Sequence, residues 1–497
     1  MAHNKKFGVS GSVSYRESNS AEKNMAIDMD QYLLQCGFYE GEEESITRER
    51  VLGKLNFLFK KFVEQVSNSK GLNNCGGEIF TFGSYRLGVH SQGADIDTLC
   101  AAPKHVSRLD FFHIFYEELE NNGDVTELSK IEEAYVPLIR LKYDGISIDL
   151  LFARLNLSVV DSSVNVQNNA LLKNMDEKCI LSLNGVRLAN DILNLIPNTQ
   201  TFQSALRCIK YWGHKRYVYG HVYGYFGGVA YAITVARICQ MYPNASSFMI
   251  VKYYFETFAK WKWPLPVILK EIEDYKYNFK VWDPKAYPSD RFHKMPVITP
   301  AYPSMCSTHN VITSTQTRFL EELNRSIDIF KENKPVAMIL EELFLPSNFF
   351  KKYKFFVMVV CYSSAPENFL MWEGLVNSRL RHLAMKLELM ENITSIPLFP
   401  KSFNMLEHIN NKIPFLDKFV PSKALNATIN FLALDFSEIK QMISSKKIII
   451  NHPVKEFKEY IYDNEKKDDS MSLDIRVLKR KEVGEFFKIF YNDGNGN

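Results

Sequence analysis

Apolar residues between positions 25 and 65 (Leu33, Leu34, Val51, Leu52, Leu55, Leu58, Phe59 and Phe62) recur at helical spacing, with an acidic stretch at 40–44 between two segments. That pattern predicts two helices. The polar, Ser-rich residues 1–24 before them predict an arm that is ordered only where something grips it. A turn-rich loop at 73–77 leads into EIFTFGS, a short β-rich run, and LDFFHIFYEEL at 109–119 reads as a helix. Residues 134–143 and 146–152 read as two strands joined by Asp144-Gly145, a strong hairpin signal. In the second strand Ile146, Ile148 and Leu150 share one face, and Ser147, Asp149 and Leu151 share the other.

From about residue 183 to 345 the chain turns helical and aromatic. In FQSALRCIKYWGHKR, Leu206, Ile209 and Trp212 lie on one side and Arg207, Lys210 and Lys215 on others, an amphipathic helix with a basic flank. Gly220, Gly224, Gly227 and Gly228 precede a long apolar helix. Glycines there permit either close backbone approach to a phosphate or tight helix packing. The proline-punctuated stretch 281–305 predicts a long irregular loop or a crossing between domains. Beyond residue 346, FFVMVVCYS reads as a strand, 368–389 as one long helix, ATINFLALDF as a strand and 437–445 as a helix, which together suggest a small α+β sandwich. The run DNEKKDD predicts a surface loop, and the terminal DGNGN a frayed tail.

Length and composition narrow this picture. A chain of 497 residues exceeds one core and suggests about three domains. The formal charge of +3 neither requires nor excludes a nucleic-acid partner, because a weak overall balance can hide a basic groove. Basic clusters do recur late in the chain, at Lys351, Lys352 and Lys354, at Arg379 and Arg381, at Lys446 and Lys447, and at Arg476, Lys479, Arg480 and Lys481. Interleaved with Tyr and Phe, they suit an RNA backbone. The eight cysteines are scattered without zinc-ligand spacing and suggest reduced thiols of a cytosolic or nuclear protein. No secretory signal opens the chain, and the longest apolar run, 223–239, is broken by Arg237 and Gly227-Gly228, so no membrane span is expected.

The candidate chemistry lies in FGSYRLGVHSQGADID, residues 82–97. If ADIDTLC is a strand, Asp95 and Asp97 leave one face together while Ile96 enters the core. Gly83-Ser84 opens a segment that could start a helix and present amides to a phosphate. Either half alone is weak, since a D-x-D is often a solvated strand end and Gly-Ser is usually a turn. Their order and close spacing, with Asp149 on a strand downstream, give the pair its weight. Apolar neighbours around Asp149 predict a covered carboxylate, and a metal shared with Asp95 and Asp97 would compensate it.

FGSYRLGVHSQGADIDTLCAAPKHV, SIDLLFARL, LLKNMDEKCILSLNGVR, ARICQMYPNA, KWKWPLPV and SDRFHKMPVITPAYP closely resemble eukaryotic nuclear poly(A) polymerases, of the DNA polymerase β-like nucleotidyltransferase superfamily. The resemblance runs from about Phe7 to at least Lys386. It implies an α+β protein of three domains: a polymerase-β-like nucleotidyltransferase palm over 51–183, a helical middle domain over 184–345 and an RRM-like RNA-binding sandwich over 346–497. Residues 1–50 form an arm and helix packing on the first two. The implied activity is template-independent addition of AMP from ATP to an RNA 3′ end in mRNA 3′-end processing, with two Mg²⁺ or Mn²⁺ ions bound by Asp95, Asp97 and Asp149. Phe82, Gly83, Ser84 and Ser91 would line the triphosphate, and Lys210 and Tyr219 would reach its phosphates. Gly228 and Val229 would pack on the nucleotide, and Val136 would lie against the adenine. The resemblance further implies a nuclear monomer recruited by a cleavage and polyadenylation complex, with ATP favouring a closed arrangement of the domains. His214, His221, Cys306 and His309 depart from the family pattern. A uridylyl- or CCA-adding relative and a catalytically silent RNA-binding scaffold are the alternatives.

Overall fold

The computed structural model describes residues 7–132, 134–332, 334–410, 419–436 and 450–492. The expected helix at 437–445, the cluster Lys446 and Lys447, and the DGNGN tail lie outside them. The first sheet has five strands, β1 (Glu78–Thr81), β2 (Ile96–Ala102), β3 (Val125–Ile131), β4 (Leu138–Tyr143) and β5 (Ile146–Arg154), in the order β1-β2-β5-β4-β3. Only β2 and β5 pair in parallel, and their register sets Asp97 directly beside Asp149. Both faces of this pair are covered. Ile96, Cys100, Ile148 and Phe152 pack under Val51, Phe59 and Phe62 of the helix Glu42–Ser69. On the opposite face Leu99, Ala101, Leu151 and Ala153 pack under Leu183 and Val186 of the helix Glu177–Leu195. Double coverage explains why β5 reads as an almost unbroken apolar run.

The hairpin forms as the sequence indicates, with Asp144 at φ 47° and Gly145 at φ 80°, the left-handed pair that a two-residue turn between twisted strands needs. Strand β4 begins at Leu138 rather than at 134, because Pro137 has no N–H to give the ladder. Strand β3, VTELSKI, is a partly exposed edge with an irregular register, and its polar residues hide it from pattern reading.

The helices Thr199–Lys215, Gly228–Met241, Ser247–Ala259 and Thr313–Lys331 share one core, in which Trp212 meets Phe255 and Phe319 edge-on at 5.0 and 6.0 Å. The first helix, Ser20–Gln35, starts at an Asn19/Glu22 capping box and inserts Met29 and Leu33 into this core. The arm before it is gripped: Val13 N donates to Met241 O at 2.8 Å, and Arg237 donates to Ser10. The proline-rich stretch is irregular apart from the single turn Pro288–Arg291 and the isolated bridges of Val297 to Val267 and of Ile298 to Cys306.

The last domain is built on a second sheet, this one wholly antiparallel: β6 (Phe355–Ser363), β7 (Ile393–Ser395), β8 (Phe403–Asn404), β9 (Asn426–Phe436) and β10 (Met471–Lys479), ordered β10-β6-β9-β7 with β8 on β9. Helices cover one face through Trp372, Leu383 and Phe457, and an aromatic cluster including Phe349, Phe399 and Phe486 fills the other. The long helix expected over 368–389 is two, Pro366–Asn377 and Leu380–Glu388. The break falls at Ser378-Arg379, whose side chains both donate to the Leu375 carbonyl, at 2.9 and 3.3 Å, and so compete for a helix acceptor. Strand β10 goes beyond the elements expected from the sequence, because polar residues alternate along MSLDIRVLK. Among the described residues no helix is long and apolar enough to cross a membrane.

Candidate active site

Three carboxylates meet where β2 and β5 emerge from the sheet. Asp95 stands just ahead of β2 and is exposed, Asp97 is half-buried, and Asp149 is buried at 8% exposure. One oxygen from each lies within 4.8 Å of the others. Parallel pairing creates the cluster, since it places Asp97 and Asp149 side by side on the face that also carries Leu99 and Leu151. Burial first, then the charges of Asp95 and Asp149, push the Asp97 carboxyl up to about 7, while Lys210 and Arg140 pull against that rise. A hard, anionic, oxygen-only donor set that repels itself fits a divalent cation. These three residues are the ones placed to hold it.

Sequence reading missed the partner of Asp149. Arg140 spans both carboxylate oxygens at 2.8 Å each, from the opposite position on β4. The signal was available, because a two-residue turn pairing Tyr143 with Ile146 necessarily pairs Arg140 with Asp149. Compensation of the buried carboxylate therefore begins with a guanidinium.

The Gly83-Ser84 corner faces the carboxylates. Phe82 N donates to Asp97 O at 3.0 Å, and Gly83 then turns with φ 63° into a one-turn helix, Gly83–Arg86. A Cβ on Gly83 would lie 2.0 Å from Asp97 Oδ2, so glycine is what lets the corner approach the carboxylate. Phe82, Gly83, Ser84, Ser91, Asp95, Asp97, Lys210, Tyr219, Gly228 and Val229 all line one cavity of about 490 Å³. Asp149 lines an adjoining cavity with Arg140, sharing Ala94 and Asp95 with the first. Val136 lines neither; it is half-buried and packs with the core that includes Leu151 and Leu183. Across the cleft, burial and then Arg207 bring the Lys210 ammonium down to about 8, although Asp95 and Asp97 oppose the shift. A cation facing two anions over an open cavity leaves room for a phosphate chain between them.

Two of the residues that depart from the family pattern, His214 and His221, are buried in the walls and held neutral. His214 stacks on Tyr219 at 3.8 Å, and burial, then Lys210, bring it to about 4. His221 meets His309 edge-on at 4.8 Å, its carbonyl accepts from Asn310 Nδ2 at 3.1 Å, and burial, then His309 and Arg381, bring it to about 4. Cys306 is buried beside Thr308. His221, Cys306 and His309 line a third cavity, about 780 Å³, together with Tyr135, Arg379 and Arg381. That cavity draws on all three parts of the chain and carries the cationic and aromatic groups a single-stranded nucleic acid requires.

The chain matches the poly(A) polymerase nucleotidyltransferase domain over residues 8–196, the poly(A) polymerase central domain over 201–346 and the poly(A) polymerase predicted RNA binding domain over 348–418. It is 43% identical to poly(A) polymerase pla1 of Schizosaccharomyces pombe, over 82% of this chain and 73% of that protein. Among solved structures, a Cid1 poly(U) polymerase aligns at 14% identity and a TM-score of 0.45, covering 65% of this chain and 99% of its own. Poly(A) polymerase PAPalpha of Candida albicans is 39% identical over 99% of this chain and 93% of the relative, and with the three domain matches in order this establishes that the chain belongs to the eukaryotic poly(A) polymerase family.

Proposed function

We propose that this protein extends RNA 3′ ends without a template, joining AMP from ATP to the terminal hydroxyl and releasing pyrophosphate, with two Mg²⁺ or Mn²⁺ ions held by Asp95, Asp97 and Asp149. The observation that carries the reading is the convergence of those carboxylates, the Gly83-Ser84 corner and Lys210 on one pair of adjoining cavities. When bound, the cations supply Lewis acidity at the attacking hydroxyl and neutralise charge on the departing pyrophosphate. Ser84, Ser91 and Lys210 bind and orient the triphosphate, Lys210 as a point charge from the opposite wall. Val229, 40% exposed at the start of an apolar helix, offers an apolar surface to the nucleotide. Arg140 donates to both oxygens of Asp149 and so fixes its rotamer. RNA enters past the cavity lined by Tyr135, Arg379 and Arg381. One chain supplies every group named here, which supports a monomer; nuclear residence and recruitment by a cleavage and polyadenylation complex rest on the family resemblance.

Primer extension with each nucleoside triphosphate supplied separately tests the reading. ATP alone should yield long products, and chelation should stop them; equal or better use of UTP or CTP would remove the adenylyl assignment. The RNA path has its own test. Replacing Arg379 and Arg381 by Gln should weaken RNA binding and reduce the slope of log affinity against log salt by about 0.7 per lost phosphate contact. An unchanged slope would place the RNA elsewhere.

A further inference from the structure

The loop 87–95 carries Ser91 and Asp95 and is gripped from two sides. From the helix Thr199–Lys215, Gln203 donates to Leu87 O at 3.0 Å, Arg207 donates to Gly88 O, and Lys210 Nζ donates to Val89 O at 3.4 Å. From the helix Glu42–Ser69, Arg48 Nη2 donates to Ala94 O at 2.6 Å, and Glu44 Oε1 accepts from Gly93 N at 2.9 Å. The carbonyl that Arg48 takes is the one immediately before Asp95.

Arg48 is among the largest fully buried side chains, 1% exposed, and two carboxylates hold its guanidinium. Glu44 Oε1 lies 2.8 Å from Nη2 and Glu40 Oε2 lies 2.9 Å from Nε. The other oxygen of Glu40 lies 2.7 Å from His90 Nε2, on a ring that packs against Tyr85 at 5.0 Å. The segment between the first two helices also reaches the opposite wall: Phe38 packs on Tyr211 at 4.1 Å, and Arg207 lies over Tyr39 at 4.3 Å, on either side of Lys210 in sequence. If stability alone were at stake, apolar residues would serve this position as well as a buried ion triad. Directional contacts to the loop that carries Ser91 and Asp95 are what apolar packing could not supply.

We propose that the Glu40–Arg48–Glu44 strap is a positioning device: Arg48 and Glu44 fix the Gly93–Ala94 backbone and so set where Asp95 stands relative to Asp97 and Asp149. This rests on the reading that those three carboxylates hold a divalent cation. Removing a support behind a metal ligand typically lowers metal affinity or activity about 10- to 100-fold.

Mn²⁺ binding to the full chain, followed by electron paramagnetic resonance with a non-hydrolysable ATP analogue, tests the strap without turnover. The samples are the parent protein, Asp97→Ala, Glu44→Ala and Arg48→Met, with urea unfolding and RNA affinity measured alongside. Glu44→Ala and Arg48→Met are expected to raise the Mn²⁺ dissociation constant about tenfold or more, with kcat falling while KM for RNA stays level. Native Mn²⁺ affinity in Glu44→Ala overturns the proposal even if Arg48→Met fails to fold, and so does native affinity in a folded Arg48→Met. If the parent binds Mn²⁺ no better than Asp97→Ala does, the metal reading itself falls and the strap with it.

Discussion

Asp97→Asn is expected to drop primer extension below roughly a thousandth of the parent rate and, in the absence of metal, to make the protein more stable at neutral pH. The two effects have one cause. Asp97 is held among Asp95 and Asp149, and burial and their charges raise its carboxyl from 3.8 to about 7. Between about pH 4 and pH 7 the folded protein therefore keeps a proton that the unfolded chain has released. Stability contributed by this group falls as pH rises through that window, by roughly 2–4 kcal/mol at most. Asparagine carries no charge and removes the slope. If the three carboxylates hold a cation as proposed, asparagine also removes one of its ligands, so Mn²⁺ should stabilise the parent and leave the variant nearly unchanged. Urea unfolding from pH 4 to 8, in chelator and then in Mn²⁺, measures both effects beside the extension assay. A variant that extends RNA at more than a few per cent of the parent rate, or that keeps the parent's pH slope, would sink the assignment.

The three carboxylates were legible in the sequence because the features that join them are local or periodic. A D-x-D at the mouth of a strand, a two-residue Asp-Gly turn and an apolar run covered on both faces each leave a mark in composition. The parallel β2–β5 pairing that sets Asp97 beside Asp149 leaves none, because residues so far apart in the chain meet only through topology. Arg140 is reachable by turn arithmetic from the Asp144-Gly145 hairpin, although its place on the strand carries no local mark of its partner. Strands β3 and β10 escaped because their polar residues face solvent at sheet edges, where the apolar signal is weakest. Arg48 is the hardest case. An arginine in a helix among glutamates reads as a solvated face, and only the packing of that helix against the loop 87–95 buries it. Charged residues that work from behind a site thus carry little sequence signal, whereas residues that line it come with glycines and carboxylates at short, fixed spacing.

Gly83→Ala is expected to cut single-turnover extension at least about a hundredfold, the scale of one misplaced catalytic contact, while leaving RNA affinity close to the parent's. The added methyl would stand 2.0 Å from Asp97 Oδ2 and 2.9 Å from its Cγ, and the backbone it joins has φ 63°. A left-handed alanine costs about 1–2 kcal/mol by itself. The collision is the larger problem, and there are two ways to relieve it. Asp97 can swing away, which takes its oxygen out of reach of Asp95 and Asp149. Alternatively, the turn Gly83–Arg86 can back off, which moves Ser84 away from the cavity it lines and strains the Phe82 N–Asp97 O bond. Each route removes one half of the phosphate-and-metal arrangement, so the rate should fall whichever the protein takes. Gly53→Ala is the matched control: it lies inside a helix with nothing within 4 Å of its added Cβ, and should be neutral or stabilising by up to about 1 kcal/mol. A Gly83→Ala protein that extends RNA within twofold of the parent would mean that the corner does not press on Asp97 during catalysis. The obstruction is confined to the Asp97 side chain, so an undiminished RNA affinity beside a lost rate would separate this effect from general unfolding.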